Sequence, residues 1–168
     1  MLLQVIHAIL QKENLMKKIL LIALSFGLVY CTNAQSAKAV FVEAGGPGLA
    51  SFNFDTRFTG KESGIGGRIG LGGFTIDGEG AVFLPVTLNY IMSKDSTNYF
   101  ELGAGATFIP STSAMEEGPF KNTSGHLNFG YRYQPSKGGF FFRATINPVF
   151  GKNFFWPYYG GISIGYKF

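Results

Sequence analysis

The chain has 168 residues and a formal net charge of +4; 14% of it is charged, 46% hydrophobic and 16% aromatic. A positive charge this small and scattered argues against a nucleic-acid partner. One cysteine and two histidines leave no metal-ligand spacing, and 24 glycines argue against a helical fold.

The first element is a targeting segment that starts at Met16. Lys17 and Lys18 form a positive head, Ile19–Tyr30 an apolar run, and Thr32-Asn33-Ala34 a small-residue cleavage site, so cleavage is expected after Ala34. The run is shorter than the ~20 residues of a spanning helix, which disfavours the alternative of an N-terminal anchor. Met1–Leu15 fits no part of a signal peptide; it reads as an over-extended start, with one long amphipathic lead helix as the lesser alternative. Cys31 follows Tyr30, not the small residue of a lipoprotein signal, and cleavage would remove it. The mature chain, residues 35–168, then has no thiol and is one domain.

From there, segments of about ten residues alternate in polarity, the period of strands. In LASFNFDTRF, Phe52, Phe54 and Phe58 oppose Ser51, Asn53, Asp55 and Arg57. GIGGRIGLGGF is weaker, with Ile65, Ile69 and Leu71 against Gly66, Arg68, Gly70 and Gly72. In AVFLPVTLNYIM, Val82, Leu84, Val86, Leu88 and Tyr90 oppose Thr87 and Asn89. NYFELGAGATFI sets Phe100, Leu102 and Phe108 against Glu101 and Thr107, and SGHLNFGYRYQ sets Leu127, Phe129, Tyr131 and Tyr133 against His126, Asn128 and Arg132. FFFRATINPVF sets Phe140, Phe142 and Ile146 against Arg143, Thr145 and Asn147. KAVFVEAGG precedes them. A three-residue loop, Pro47–Leu49, would pair Val42 with Phe54 and Glu43 with Asn53, and an unbroken strand with a bulge would give the same phase. With the final segment this makes eight strands.

The links alternate in length. TGKES, SKDST and PSKGG are short; TIDGEG, PSTSAMEEGPFK and GKNFFW are longer, and Pro47–Leu49 is the exception. Transmembrane barrels pair short periplasmic turns with longer outer loops in this way.

A lipocalin-like soluble barrel and a membrane barrel both fit the alternation, with opposite faces inward. The polar faces decide between them. A soluble exterior is roughly a quarter to a third charged. Here those faces hold Glu43, Asp55, Arg57, Arg68, Glu101, Arg132 and Arg143 among Gly, Ser, Thr and Asn. That composition suits a narrow lumen with an internal ion-pair network, Lys167 standing near its rim; the functional alternative is a narrow ion or solute path. Tyr90, Tyr99, Phe108, Tyr131, Tyr133, Phe140, Phe150, Trp156, Tyr158 and Tyr166 are candidates for interfacial girdles. The expected fold is an all-β, antiparallel, up-and-down transmembrane β-barrel of about eight strands.

The last segment, PYYGGISIGYKF, puts Tyr158, Gly160, Ile162, Ile164, Tyr166 and Phe168 on one face. A terminal aromatic with apolar residues at every second position before it, behind a signal peptide, resembles the assembly signal of outer-membrane β-barrels. With GYRYQP and GGISIGYKF, the chain resembles the small eight-stranded outer-membrane barrel proteins of Gram-negative bacteria. The resemblance implies outer-membrane lipid as surroundings. It also implies insertion by the barrel-assembly machinery through Ile162, Ile164, Tyr166 and Phe168.

Other chemistry is sparse. His126 is the one histidine of the mature chain, and Ser124 and Glu101 share its face, as a lipid-modifying enzyme would need. But a serine two residues along a strand lies about 7 Å away, and His126 points inward, away from lipid. GIGGRIGLGG lacks a nucleotide-loop spacing and its helix. Asn122-Thr123-Ser124 is a glycosylation triplet without expected meaning in a bacterial protein. The loop Pro110–Lys121, with Glu116 and Glu117, is expected outside the cell and could meet an extracellular partner. No cofactor and no metal is expected. The leading reading is a structural or interaction barrel without catalysis. A narrow channel, a lipid-modifying enzyme and a soluble periplasmic binding barrel follow in that order.

Overall fold

Alternation along the chain becomes a sheet with two chemically opposite faces. The computed structural model describes residues 36–76, 79–112 and 123–168; the leader with Ala34, and residues 113–122 of the Pro110–Lys121 loop, lie outside them. The strands are β1 (Lys38–Gly45), β2 (Ala50–Arg57), β3 (Gly64–Ile76), β4 (Glu79–Ser93), β5 (Asn98–Thr112), β6 (Ser124–Tyr133), β7 (Gly139–Ile146), β8 (Val149–Gly151), β9 (Phe154–Trp156) and β10 (Gly160–Lys167). They form one antiparallel sheet in the order β5-β4-β3-β2-β1-β10-β7-β6-β8-β9, and β5 also pairs with β6. The sheet therefore closes on itself and removes the edges that an open sheet exposes.

The ten strands make eight staves. Past Ile146, Leu127 N–H donates to Pro148 O at 2.9 Å and Val149 pairs with His126, so β8 continues β7 along β6. β9 pairs with β8 and stands above β10. GKNFFW, read as an open link, is thus the tip and one arm of a small hairpin. TIDGEG is likewise mostly strand, because β3 runs to Ile76 and β4 resumes at Glu79.

The first hairpin departs from its expected register. Val42 pairs with Phe52 and Glu43 with Ser51, two residues from the expected Phe54 and Asn53. Gly45 and Gly46 take φ of +74° and +67°, which carry the chain out of the ladder early. Gly46 N–H then bonds Gly160 O at 2.9 Å on the last strand instead of the facing arm. A shift of two preserves every side chain's face, so the polarity pattern could not detect it. The longer link folds inward: Gly46, Pro47 and Gly48 are buried, and Thr107 Oγ1 donates to Pro47 O at 3.1 Å.

The first and last strands meet as expected, with Val42 opposite Ile164 and Val40 opposite Tyr166. The start of β1 and the end of β10 lie at the end where turns 58–63, 94–97 and 134–138 join β2–β3, β4–β5 and β6–β7. Outward from the barrel stand Ile69 (57% exposed), Leu71 (59%) and Ile162 (58%). Inward, the lumen is filled in zones. Ala39, Phe41 and Phe141 form one apolar cluster. Ala81 and Phe83, packed by Leu49, Phe74, Ile109 and Tyr159, form another at the end away from those turns. The charges run alongside the first cluster, where Asp55 is opposite Ala39 and Arg132 lies over Phe141. Tyr99, expected in a girdle, is an exception at 2% exposure. Its odd position puts it on the inward face with Glu101.

Candidate functional site

The strand period brings seven charged side chains from β1, β2, β3, β5, β6 and β7 into one lumen. Glu43, Asp55, Arg57, Arg68, Glu101, Arg132 and Arg143 are all buried. They form a chain in which cations and anions alternate. Arg57 Nη2 lies 2.6 Å from Asp55, and Asp55 meets Arg132 at 2.7 Å. Arg132 reaches Glu101 at 3.3 Å, and Glu101 meets Arg143 at 3.0 Å. Arg143 meets Glu43 at 2.6 Å, and Glu43 meets Arg68 at 3.1 Å. Each carboxylate thus bridges two guanidiniums.

The two ends of the chain are finished by neutral groups. Arg57 donates to Asn89 Oδ1 at 2.6 Å and to Gly64 O at 3.1 Å, and Asn89 Nδ2 donates to Asp55 Oδ2 at 2.6 Å. Arg68 Nη2 donates to Thr87 Oγ1 at 3.4 Å. Space for the first of these arginines is made by Gly66, where an added Cβ would stand 2.2 Å from Arg57 Cζ. The ring faces of the aromatic cluster carry two cations: Arg132 sits 4.8 Å over Phe141, and Arg143 sits 5.9 Å from the centre of Phe41. Such charges, taken from water, cost several kcal/mol each unless paired. Pairing each acid twice offsets part of that cost, and the cation–π contacts offset more.

Sequence reading placed Lys167 near the rim but left out Gln134 and Glu62, which link this chain to it. Gln134 Oε1 accepts from Arg132 Nε at 2.8 Å, while its Nε2 donates to Glu62 Oε2 at 3.3 Å. Glu62 pairs with Lys167 Nζ at 2.7 Å, and Lys167 also donates to Ser136 O. The inward parity of Gln134, two residues after Arg132, was a usable signal. Glu62 sits in a turn, where parity says nothing.

His126 does not meet Ser124 or Glu101. Its Nε2 is 2.9 Å from Thr87 Oγ1 and its Nδ1 3.3 Å from Thr107 Oγ1. Fully buried, it sits between two threonines in the lumen wall. Beside it, Asn128 Nδ2 donates to Asn147 Oδ1. No group of three or more His, Cys, Asp or Glu side chains among the described residues could hold a metal ion.

A closed antiparallel barrel with its charges inside and its large apolar side chains outside has the architecture of a transmembrane β-barrel. Solved structures agree on the fold. The N-terminal β-barrel domain of Pseudomonas aeruginosa OprF is similar with a TM-score of 0.57 at 11% identity, over 80% of this chain and 98% of that one. The Yersinia pestis outer membrane protein Ail, solved in a phospholipid bilayer nanodisc, is similar with a TM-score of 0.54 at 14% identity, over 81% and 99%. No protein-family profile matches the chain, and no curated protein matches it.

Proposed function

We propose that the protein is an integral outer-membrane barrel with a structural or interaction role and no catalytic step. The observation that carries this reading is the filled lumen. A seven-membered chain of ion pairs spans it, with the inward loop at Pro47 and the Phe83 cluster above. Barrels of eight strands have interiors that side chains fill. The barrel reaches its site behind the Met16–Ala34 leader. The outward face of Ile162, Ile164, Tyr166 and Phe168 serves the barrel-assembly machinery, and the Pro110–Lys121 loop is the place for an extracellular partner.

Two measurements test this. Heat-modifiable gel migration from the outer-membrane fraction is expected; a purely soluble periplasmic product overturns the membrane assignment. Folded protein in planar bilayers is expected to give no steady conductance steps. A persistent ion current from the unaltered chain would overturn the closed lumen in favour of a channel.

A further inference from the structure

The turn end of the barrel has a charge pattern that the lumen does not explain. Turns 58–63, 94–97 and 134–138 each carry one exposed lysine: Lys61, Lys94 and Lys137. Lys38 opens β1 at the same end, with the outward parity of Val40 and Val42. The strand order spaces the four round the rim, because the β2–β3, β4–β5, β6–β7 and β10–β1 junctions alternate with the other pairings.

The acids at this end are occupied elsewhere. Glu62 turns inward to Lys167 and Gln134. Asp95 accepts hydrogen bonds from the backbone N–H groups of Thr97 and Asn98 inside its own turn. Among the described residues, Lys38, Lys61, Lys94 and Lys137 have no ion-pair partner. By sequence alone, the links β3–β4, β5–β6 and β8–β9 have the opposite bias, with Asp77, Glu79, Glu116 and Glu117 against Lys121 and Lys152.

Depth fixes what these lysines meet. Outward aromatics circle the barrel just inside the turns: Phe58, Tyr90, Phe100, Tyr131, Phe140 and Tyr166, all exposed. Amphipathic rings of this kind mark the boundary between hydrocarbon and headgroups. Lys61, Lys94 and Lys137 stand three or four residues beyond Phe58, Tyr90 and Phe140, in the turns and so on the headgroup side of that ring. Lipid phosphates lie on that side of an aromatic ring, and a lysine stem can lie along the apolar belt while its ammonium reaches them.

We propose that the four lysines form a ring that binds anionic phospholipid headgroups in the leaflet around the turn end. The proposal rests on the membrane reading, with the turns toward the periplasm. The ligand chemistry is a phosphodiester whose headgroup adds no positive charge, such as phosphatidylglycerol. Each lysine supplies a mobile point charge, so the ring selects for charge and not for headgroup shape. It would fix the depth of the barrel, and it would gather anionic lipid round the periplasmic rim.

The test uses the folded chain in vesicles of phosphatidylcholine with spin-labelled phosphatidylglycerol or spin-labelled phosphatidylcholine. Insertion is read separately, by heat-modifiable migration and by quenching of Trp156, the single tryptophan, with brominated lipid. The unaltered protein is expected to immobilise the anionic label about five-fold more strongly than the neutral one, and raised salt should reduce the ratio. The fourfold variant Lys38→Gln, Lys61→Gln, Lys94→Gln, Lys137→Gln should insert equally and bring the ratio close to one. The corresponding arginine variant should keep it. Equal insertion with a ratio of one in the unaltered chain overturns the ring while leaving the membrane reading intact. Failure to insert in any vesicle overturns that reading and the ring with it. Lysine-dependent sedimentation with purified cell-wall polymer, together with a lipid ratio of one, would assign the ring to wall carboxylates and overturn the lipid proposal.

Discussion

Arg132 and Arg143 are directly opposite each other on β6 and β7, both pointing into the lumen. Like charges in that position repel. Glu101, from β5, lies between them and reaches Arg132 at 3.3 Å and Arg143 at 3.0 Å. Asp55 then draws Arg132 toward β2, and Glu43 draws Arg143 toward β1. The pair is tolerable because its neighbours are acids from three different strands. Arg132–Glu101 ties the neighbouring strands β6 and β5, whereas Arg132–Asp55, Arg143–Glu43 and Arg143–Glu101 join strands that share no backbone hydrogen bonds.

Replacing Glu101 isolates that repulsion. Glu101→Gln keeps the volume and removes the charge, leaving two buried arginines with one acid each. Losing one partner of a buried pair costs about 3–5 kcal/mol. Urea unfolding of the folded barrel in micelles should show a loss of that order. Adding Arg143→Gln to the same chain should recover part of it, as expected for residues in one network. A loss for Glu101→Gln below about 1 kcal/mol, the range of exposed pairs, would mean that the lumen is hydrated and that the chain of pairs is not a stabilising unit.

The face of nearly every barrel residue was legible before the fold was known. Phe52 and Asn53, Leu88 and Asn89, or Phe142 and Arg143 alternate in polarity because a strand turns successive side chains to opposite sides. Which acid serves which arginine was not legible. Asp55 sits opposite Arg68 in the β2–β3 ladder, yet it pairs with Arg57 and Arg132 while Arg68 turns to Glu43. Long guanidinium stems reach past their nearest neighbours, and the closure of the sheet decides what they find. Tyr99 was misplaced for a related reason. At the turn end the lumen is lined by Ile91, Phe41 and Phe141, and so an aromatic side chain there is no sign of lipid. The register of β1 against β2 escaped because two residues of slip change no face.

The last strand is sewn to the first down to its final residue. Phe168 N–H donates to Lys38 O at 2.9 Å, and Lys38 N–H donates to Phe168 O at 3.3 Å, while the phenyl ring stays 57% exposed. Phe168→Ala keeps both backbone bonds and removes only the ring. Assembly into the outer membrane of cells, read by heat-modifiable migration, should fall several-fold. Folding of the purified variant into micelles should be little changed, since an exposed ring contributes little packing. Normal assembly in cells would remove Phe168 from the recognition face, and equal loss in both settings would make its role structural.

Asp95 offers a pH test outside the lumen. Its carboxylate accepts from Asn98 Nδ2 at 2.6 Å, Asn98 N–H at 2.7 Å and Thr97 N–H at 3.0 Å. These bonds, the Asn98 side chain foremost, hold the carboxyl well below the usual aspartate range. Because the folded value lies below the unfolded one, the charged form supports the turn at neutral pH. That support stays until pH falls to the ordinary aspartate value near about 4. It is lost as pH drops further toward the folded value. A carbon-13 titration of the Asp95 carboxyl in micelles should show a midpoint well below the ordinary one. Amide protection of Thr97 and Asn98 should fall with it, and Asp95→Asn should abolish that pH dependence. An ordinary midpoint would mean that the turn is open in solution.

Ile69 separates the two readings of an alternating barrel most directly. It lies midway along β3, 57% exposed, with Val86 and Phe54 beside it on the outward face. If water surrounds the barrel, Ile69→Arg puts a charge where charge belongs, and stability should hold or rise. If lipid surrounds it, the guanidinium is placed near the bilayer midplane, at a cost of about 2–4 kcal/mol. The same substitution at Phe58, close to the turns, should cost no more than about 1 kcal/mol, because the side chain can reach the headgroups. Reversible denaturant unfolding from phospholipid vesicles measures both variants on one scale. A deep penalty for Ile69→Arg with a shallow one for Phe58→Arg is the expected result. Equal, small effects at the two positions would place the outward face in water and remove the membrane reading.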